Sequence, residues 1–145
     1  MSTSKLFCPI RRQWVANQPE EVVRQELLEQ MLHKLGYPQE GIGVEKSLKQ
    51  MPHLALTSTP LPSRRADIVC FCQGHPLLLI ECKAVRWNSR AVSQVIGYNY
   101  YLGASAIALA APEKFQLGLL KPQSGEYTFS EGLPSYPELI ARCQA

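Results

Sequence analysis

The sequence predicts an α/β fold in which a mixed β-sheet is flanked by helices. An amphipathic helix comes first, three strand-like segments follow it, and a second helix separates these from further strands. The chain has 145 residues, 46% hydrophobic and 19% charged, which is a globular composition and the size of one domain. We expect residues 1–145 to form a single domain with an N-terminal arm at 1–17 and a core at 18–145.

The first helix is predicted over residues 18–36. Pro19 suits the first turn of a helix, and Gly36 is a typical residue after its C-terminus. Residues 1–17 lack clear periodicity, so we expect an arm that lies on the domain. The apolar positions of the helix recur at intervals of three and four and form one stripe, namely Val23, Leu27, Leu28, Met31, Leu32 and Leu35.

Three strands are predicted next, over residues 41–48, 66–72 and 76–84. A proline-containing loop follows the first of them. The second and third are apolar on both faces, which is typical of central strands in a sheet that is covered on both sides. Residues 73–75 lie between them and predict a hairpin with a three-residue connection.

The second helix is predicted over residues 89–102, with Asn88 or Ser89 as its cap and Gly103 as its stop. The remaining elements are expected to be a buried strand, two strands of an edge hairpin and a short helix, over residues 104–111, 116–121, 126–129 and 136–144.

Composition disfavours several classes of protein. No apolar run reaches about 18 residues, so we expect no membrane span, and the N-terminus is too interrupted for a signal peptide. An odd number of cysteines, five, is typical of reduced thiols, and we expect a cytoplasmic protein. Zinc binding by Cys70, Cys72 and His75 is a weaker alternative, because zinc sites usually show C-x-x-C spacing.

The clearest chemistry lies on the second and third predicted strands. Asp67 is near the start of one, and Glu81 and Lys83 are near the end of the other. With a three-residue connection, residue 72 faces residue 76, so Asp67 faces Glu81 and Lys83 points to the same face. A two-residue turn would shift this register by one residue and put Glu81 on the wrong face.

Two neighbouring carboxylates repel each other, and their burial is costly unless a cation compensates. Oxygen ligands of this kind suit Mg²⁺ or Mn²⁺, and a lysine beside them can orient or deprotonate a water. The set predicts metal-dependent phosphodiester hydrolysis, with Asp67 and Glu81 as metal ligands and Lys83 as a catalytic residue. The alternative is a plain salt bridge between Lys83 and one of the two acids.

Both helices and two strand regions offer further candidates. Gln94 and Tyr98 lie four residues apart on the second helix and share a face. For the other candidates, a place in the site and a place on the solvated surface are equally good interpretations. These candidates are Glu21, Arg24 and Gln25 on the first helix, Arg64 and Arg65 before Asp67, and Glu45 and Lys46 on the first strand.

Six short segments together form a specific pattern, at residues 19–25, 35–38, 44–48, 65–69, 79–83 and 94–99. They resemble the N-terminal nuclease domain of type I restriction enzyme R subunits, over residues 19–111. The resemblance implies a restriction-endonuclease-like PD-(D/E)XK fold, magnesium dependence and cleavage of DNA. It departs from the motif at Ala66, where a proline can occur.

Residue by residue, the resemblance assigns Asp67 and Glu81 to the metal site and Lys83 to catalysis. Glu21 resembles a first-helix carboxylate that sometimes joins the metal shell, with Glu26 as the alternative.

Gln94 and Tyr98 match a Q-x-x-x-Y motif that is linked to the active site and to DNA. We therefore expect Gln94 in the catalytic group and Tyr98 at the nucleic acid. Three arginines are expected to contact nucleic acid as well, namely Arg24, Arg64 and Arg65.

The R subunits carry a helicase motor after this domain, whereas this sequence ends at residue 145 and has no Walker phosphate loop. We therefore expect the protein to act alone, as a homodimer, or with a helicase or other partner protein supplied in trans. One active site cuts one strand, so cleavage of a duplex would suggest the homodimer. The alternative is a DNA-binding or scaffold module that keeps the nuclease fold without cutting. The sequence does not separate DNA from RNA as the substrate.

Overall fold

A six-stranded mixed sheet with helices on both faces forms the centre of the protein, as the sequence predicts. The structure is a computed structural model that describes residues 4–144. In chain order, its strands and helices are β1 (Lys5–Cys8), β2 (Gln13–Ala16), α1 (Pro19–His33), β3 (Ile42–Ser47), β4 (Arg65–Cys72), β5 (His75–Cys82), α2 (Ser89–Leu102), β6 (Ala106–Ala111), β7 (Lys114–Lys121), β8 (Glu126–Glu131) and α3 (Tyr136–Gln144).

The large sheet has the order β3-β4-β5-β6-β7-β8. Every neighbouring pair is antiparallel except β5 and β6, which run parallel. A parallel pair needs a crossover connection, and α2 supplies it. This arrangement places β4, β5 and β6 in the middle of the sheet, where their apolar side chains are covered on both faces.

Two apolar clusters occupy the two faces of the sheet. Helices α1 and α3 cover one face, where Leu28 and Leu139 pack against the strands with no exposed area. Helix α2 covers the other face, where Val95 and Leu102 are buried. The stripe predicted on α1 is therefore its contact with the sheet, although this helix ends at His33 rather than at residue 36.

Helix α2 begins and ends as predicted. The Asn88 side chain caps it by accepting hydrogen bonds from the backbone of Arg90 and Ala91, and Gly103 follows with a φ of +79°. Asn99 is buried in its last turn and bonds both backbone groups of Ala104, at 2.8 and 3.0 Å. These bonds fix the path of the chain from α2 into β6.

The N-terminal arm is a β-hairpin, which the sequence does not predict. Strands β1 and β2 form a two-stranded sheet of their own, and Cys8 is completely buried against the cluster under α1. Each strand has four residues and buries little of its surface, so no apolar alternation marks it in the sequence. Of the predicted arm, residues 1–3 lie outside the described part of the chain.

All five cysteines lie within the described residues and are free thiols, as expected. Within residues 4–144, no helix is long and apolar enough to cross a membrane.

Candidate active site

The connection between β4 and β5 is shorter than predicted. Gln73 and Gly74 alone separate the paired residues Cys72 and His75, and both have positive φ, 52° and 81°. Such a backbone is typical of a tight two-residue turn with glycine in second place. The prediction of a three-residue connection is therefore wrong, and the turn by itself would displace the register by one residue.

A β-bulge then restores the register that the sequence predicts. Phe71 faces Pro76, but the next residue of β4, Cys70, faces Leu78, so Leu77 has no partner on β4. Leu77 and Leu78 are consequently neighbours in sequence that both pack into the cluster under α1. From this point to the end of the hairpin, the pairing is the one required to bring the acids together.

Asp67 and Glu81 meet where β4 and β5 diverge. The last paired residues of the two strands are Ile68 and Ile80, and one step further the register sets Asp67 across from Glu81. There the Asp67 carboxylate accepts a hydrogen bond of 2.7 Å from the Cys82 backbone N–H. A side chain thus takes the place of a strand partner, which fixes one carboxylate oxygen at the strand end.

Lys83 lies two residues beyond Glu81, immediately after β5. Its backbone N–H donates to the carbonyl oxygen of Ala110 at 2.7 Å, which continues the pairing with β6. The position of Lys83 is thereby set by the sheet rather than by a free loop, and its side chain is half-buried.

Glu81 is buried, and its carboxyl is hard to ionise. Burial and the negative charge of Asp67 raise the pKa of Glu81 to about 7, although Arg64 and Lys83 act in the opposite direction. The pKa of Asp67 is also raised, chiefly by burial. Two desolvated acids lie side by side at this end of the sheet, and a nearby positive charge would stabilise their ionised forms.

Arg64, in the loop before β4, supplies part of this positive charge. Its guanidinium donates to the Glu81 carboxylate, while 44% of its side chain stays exposed. The hydroxyl of Tyr98 donates to the carbonyl oxygen of Arg64 at 3.1 Å, which ties α2 to this loop. In the described part of the chain no ion pair joins Lys83 to either acid, so the plain salt bridge considered from the sequence is not formed.

Arg24 is buried, at 6% exposure, among three carboxylates. Its guanidinium lies 3.0 Å from Glu45, 3.5 Å from Asp67 and 3.5 Å from Glu21. An arginine in this position cannot present a free cation to solvent. The sequence suggested that Arg24 contacts nucleic acid. The geometry instead favours a role in which Arg24 holds the acids in place.

Glu45 joins the site rather than forming a surface pair with Lys46. Its neighbours on β3 pair with β4 in a register that sets Glu45 opposite Asp67. Glu45 has a φ of +56°, a left-handed conformation that is uncommon for a residue with a side chain. Its carboxylate lies 3.0 Å from the Arg24 guanidinium, and no feature of the local sequence predicts this backbone conformation.

Glu21 is held by Arg11 of the N-terminal hairpin, a partner that the sequence did not identify. Both oxygens of Glu21 accept from Arg11 at 2.9 Å, and Gln25 donates to one of them at 3.0 Å. Burial opposes ionisation, but these bonds and the charge of Arg24 lower the pKa of Glu21. Glu26, the alternative, is exposed and lines a groove on the other side of α1.

The remaining candidates lie around this centre. Tyr98 is buried next to the Arg64 loop, whereas Gln94, one turn earlier on α2, is exposed. Arg65 is exposed at the start of β4. The roles of these residues toward a substrate stay predictions.

Two carboxylates are compatible with a hard divalent ion only if other ligands complete its shell. Within residues 4–144, no group of three or more histidine, cysteine, aspartate or glutamate side chains is arranged to hold a metal alone, which also disfavours the zinc alternative. Mg²⁺, however, is commonly bound by one or two carboxylates, with water and phosphate oxygens completing its shell. Asp67 and Glu81 provide two such carboxylates at the strand ends.

Fold and site together are compatible with an α/β domain of the nuclease type. The family model for the N terminus of the type I restriction enzyme R protein (HSDR_N) matches residues 19–134, and the chain belongs to this family. No match was found among curated proteins or among solved structures. Membership indicates a nuclease-related role, and the matched region contains every predicted site residue, whereas the N-terminal hairpin precedes it.

Proposed function

We propose that the protein is a metal-dependent endonuclease of the PD-(D/E)XK type that hydrolyses phosphodiester bonds in DNA. One observation carries the proposal: Asp67 and Glu81 converge where two central strands diverge, and Lys83 follows at the strand end. Membership of the restriction enzyme family supports DNA as the substrate.

Asp67 and Glu81 are the residues that would hold Mg²⁺ or Mn²⁺, which when bound supplies a Lewis acid for the phosphate. Lys83 orients the attacking water or accepts a proton from it. The Cys82 N–H keeps Asp67 in place, and Arg24 balances part of its charge. Glu21 acts in this scheme as the anchor of Arg24, and both of its oxygens accept hydrogen bonds from Arg11.

Arg64 would exchange partners when a substrate binds. Its guanidinium pairs with Glu81, yet the side chain is partly exposed on a loop. A phosphate near the site offers it a second anionic partner, which frees the Glu81 oxygens. Arg65 would contact phosphate beside it, and Gln94, which is exposed on α2, would face the substrate. Tyr98 on the same helix fixes the loop.

The family acts on DNA within a complex, so partners belong to the proposal. One active site cuts one strand, and cleavage of a duplex would therefore take a second copy of the chain or a helicase or other protein supplied in trans.

Nicking of supercoiled plasmid in Mg²⁺ or Mn²⁺ tests the proposal directly. Asp67→Asn and Lys83→Met should lower the rate at least about 100-fold, because each removes a group that acts in the chemical step. Lys121→Met, at an exposed strand end, is the matched control and should leave the rate unchanged. Nicking that persists in both site variants would reject the assignment.

Metal binding can be measured without turnover, because Asp67 is the only aspartate of the chain. Selective ¹³C labelling of aspartate gives one side-chain carboxyl signal. Mn²⁺ should broaden this signal at low ratios of metal to protein in the wild type, and much less in Glu81→Gln. A signal that is insensitive to Mn²⁺ would contradict metal binding at this pair.

A DNA-binding or scaffold module without cleavage is the second candidate. It is favoured by the pairing of both acids with arginines, which compensates their charge without a metal. It predicts that Glu81→Ala binds DNA as well as the wild type does, and that calorimetry detects no Mn²⁺ binding.

A further inference from the structure

The N-terminal hairpin exposes a pair of aromatic rings. Phe7 and Trp14 are cross-strand partners whose ring centroids are 5.3 Å apart, and they remain 48% and 65% exposed. They lie on the face of the hairpin opposite Cys8, which is buried. Edge-to-face packing stabilises the hairpin, but the outer ring surfaces stay in water and can accept a flat partner.

The hairpin segment also accounts for the formal excess of positive charge in the sequence, although Arg11 is paired with Glu21. Residues 1–17 contain three basic residues, Lys5, Arg11 and Arg12, and no acidic residue. The chain has 15 basic and 12 acidic residues, so residues 18–145 hold 12 of each and are balanced. Lys5 and Arg12 are exposed, Arg12 at the hairpin turn. The charge therefore attracts an anion to the strands that display the rings.

The hairpin is connected to the acidic site by consecutive ion pairs. Arg11 holds both oxygens of Glu21, Glu21 lies against Arg24, and Arg24 lies against Asp67. The contacts fix the hairpin beside the strand ends that carry the proposed chemistry.

We propose that the β1–β2 hairpin binds unpaired nucleotides, with Phe7 and Trp14 stacking on bases and with Lys5 and Arg12 contacting phosphates. Exposed aromatic rings among basic side chains are how proteins commonly bind single strands without sequence preference. The inference rests on the proposed function for DNA as the ligand. It adds a contact surface that lies before the region matched by the family, residues 19–134.

Tryptophan fluorescence can report on this surface, because the chain has two tryptophans. Trp87 is half-buried, bonded to Gln116 and covered by Lys114, so Trp87→Phe leaves Trp14 as the one tryptophan of the chain, which is excited selectively over the tyrosines at about 295 nm. Single-stranded oligothymidine, added at low salt with EDTA, should quench Trp14 and bind more tightly than a duplex of equal length. Unchanged Trp14 emission at saturating oligothymidine would overturn the proposal.

Substitutions separate stacking from folding of the hairpin. In binding measured by the fluorescence anisotropy of labelled oligothymidine, Trp14→Leu, which keeps apolar volume without an aromatic face, should weaken binding about 5-fold or more, whereas Trp14→Phe should largely restore it. Tyr100→Leu is the matched control, since Tyr100 also belongs to an exposed edge-to-face pair, on α2. Arg12→Gln should lessen the dependence of binding on salt. Equal losses in Trp14→Leu and Tyr100→Leu would reject a specific role of the hairpin.

Binding and cleavage distinguish the two proposals. If the wild type nicks plasmid and Trp14→Leu binds oligothymidine as well as the wild type does, the nuclease proposal stands and the hairpin proposal is rejected. This result is expected if a protein, rather than a nucleic acid, covers the rings. Trp14-dependent binding in a protein that does not nick would keep the hairpin surface and reject the nuclease.

Discussion

Arg24→Met should be the most destabilising single substitution of a charged residue near the site. Its guanidinium is buried and faces Glu21, Glu45 and Asp67 at 3.0 to 3.5 Å, and methionine keeps most of the aliphatic volume. Removing one partner of a buried ion pair costs about 3–5 kcal/mol, because the other partner is left desolvated and unpaired. Native stability is typically about 5–15 kcal/mol, so the variant should lose a large share of it.

Urea unfolding at pH 7 measures this loss, with Arg142→Met as the control. Arg142 also forms a close ion pair, 2.8 Å from Glu138, but both side chains are about half-exposed on α3. An exposed pair of this kind is worth only about 0.5 kcal/mol. The contrast between the two arginines therefore compares a buried guanidinium among three carboxylates with an exposed one beside a single carboxylate.

The pH dependence gives a second signature. The pKa of Asp67 is already raised by burial, and removal of Arg24 should raise it further. A raised carboxyl pKa costs stability only where the acid is ionised, so the deficit of Arg24→Met should shrink as the pH falls below 7. A loss under about 1 kcal/mol at pH 7, or equal losses for Arg24→Met and Arg142→Met, would refute the reasoning.

Three other outcomes are expected. Because the pKa of Glu81 is raised to about 7, stability from this carboxyl is present below its ordinary pKa and is lost as the pH rises through 7. Glu81→Gln should therefore be more stable than the wild type above pH 7, by about 1–3 kcal/mol in urea unfolding, and a less stable variant would contradict this. Asn99→Ala loses two bonds to Ala104 and one of 2.9 Å to the Tyr127 hydroxyl, and should cost about 2–4 kcal/mol in thermal unfolding; a change within error would mean that water replaces them. Arg64→Ala should bind Mn²⁺ about twofold to fivefold more tightly in calorimetry, since a partly exposed competitor for Glu81 is removed, and weaker binding would argue that Arg64 organises the site.

Periodicity and end signals were sufficient to locate the helices and the two strands of the central hairpin, although α1 ends three residues earlier than predicted. The apolar stripe of α1, the Asn88 cap and the Gly103 stop define elements through local chemistry, which is present in the sequence. Pairing of Asp67 with Glu81 was also anticipated, although its predicted cause, a three-residue turn, was wrong.

Features that depend on tertiary contacts could not be predicted. The buried Arg24 is surrounded by three carboxylates, one each from α1, β3 and β4. In its own segment of the sequence, each of these acids has the pattern of a solvent-exposed residue. The left-handed backbone of Glu45 and the bond from Arg11 to Glu21 arise in the same way. The N-terminal hairpin is short and buries one side only, so its strands carry too few apolar positions to form a pattern.

The bulged Leu77 has a consequence for how lengths in this hairpin are compared between chains. The number of residues between Asp67 and the E-x-K segment includes a two-residue turn and one bulged residue that has no partner on β4. A relative with a three-residue turn and no bulge would therefore have the same number of residues and the same geometry. Loss of Leu77 alone would leave the hydropathy of the strand almost untouched and yet rotate Glu81 away from Asp67. When sequences are aligned over this hairpin, a residue gained in the turn should therefore be matched by a residue lost at the bulge.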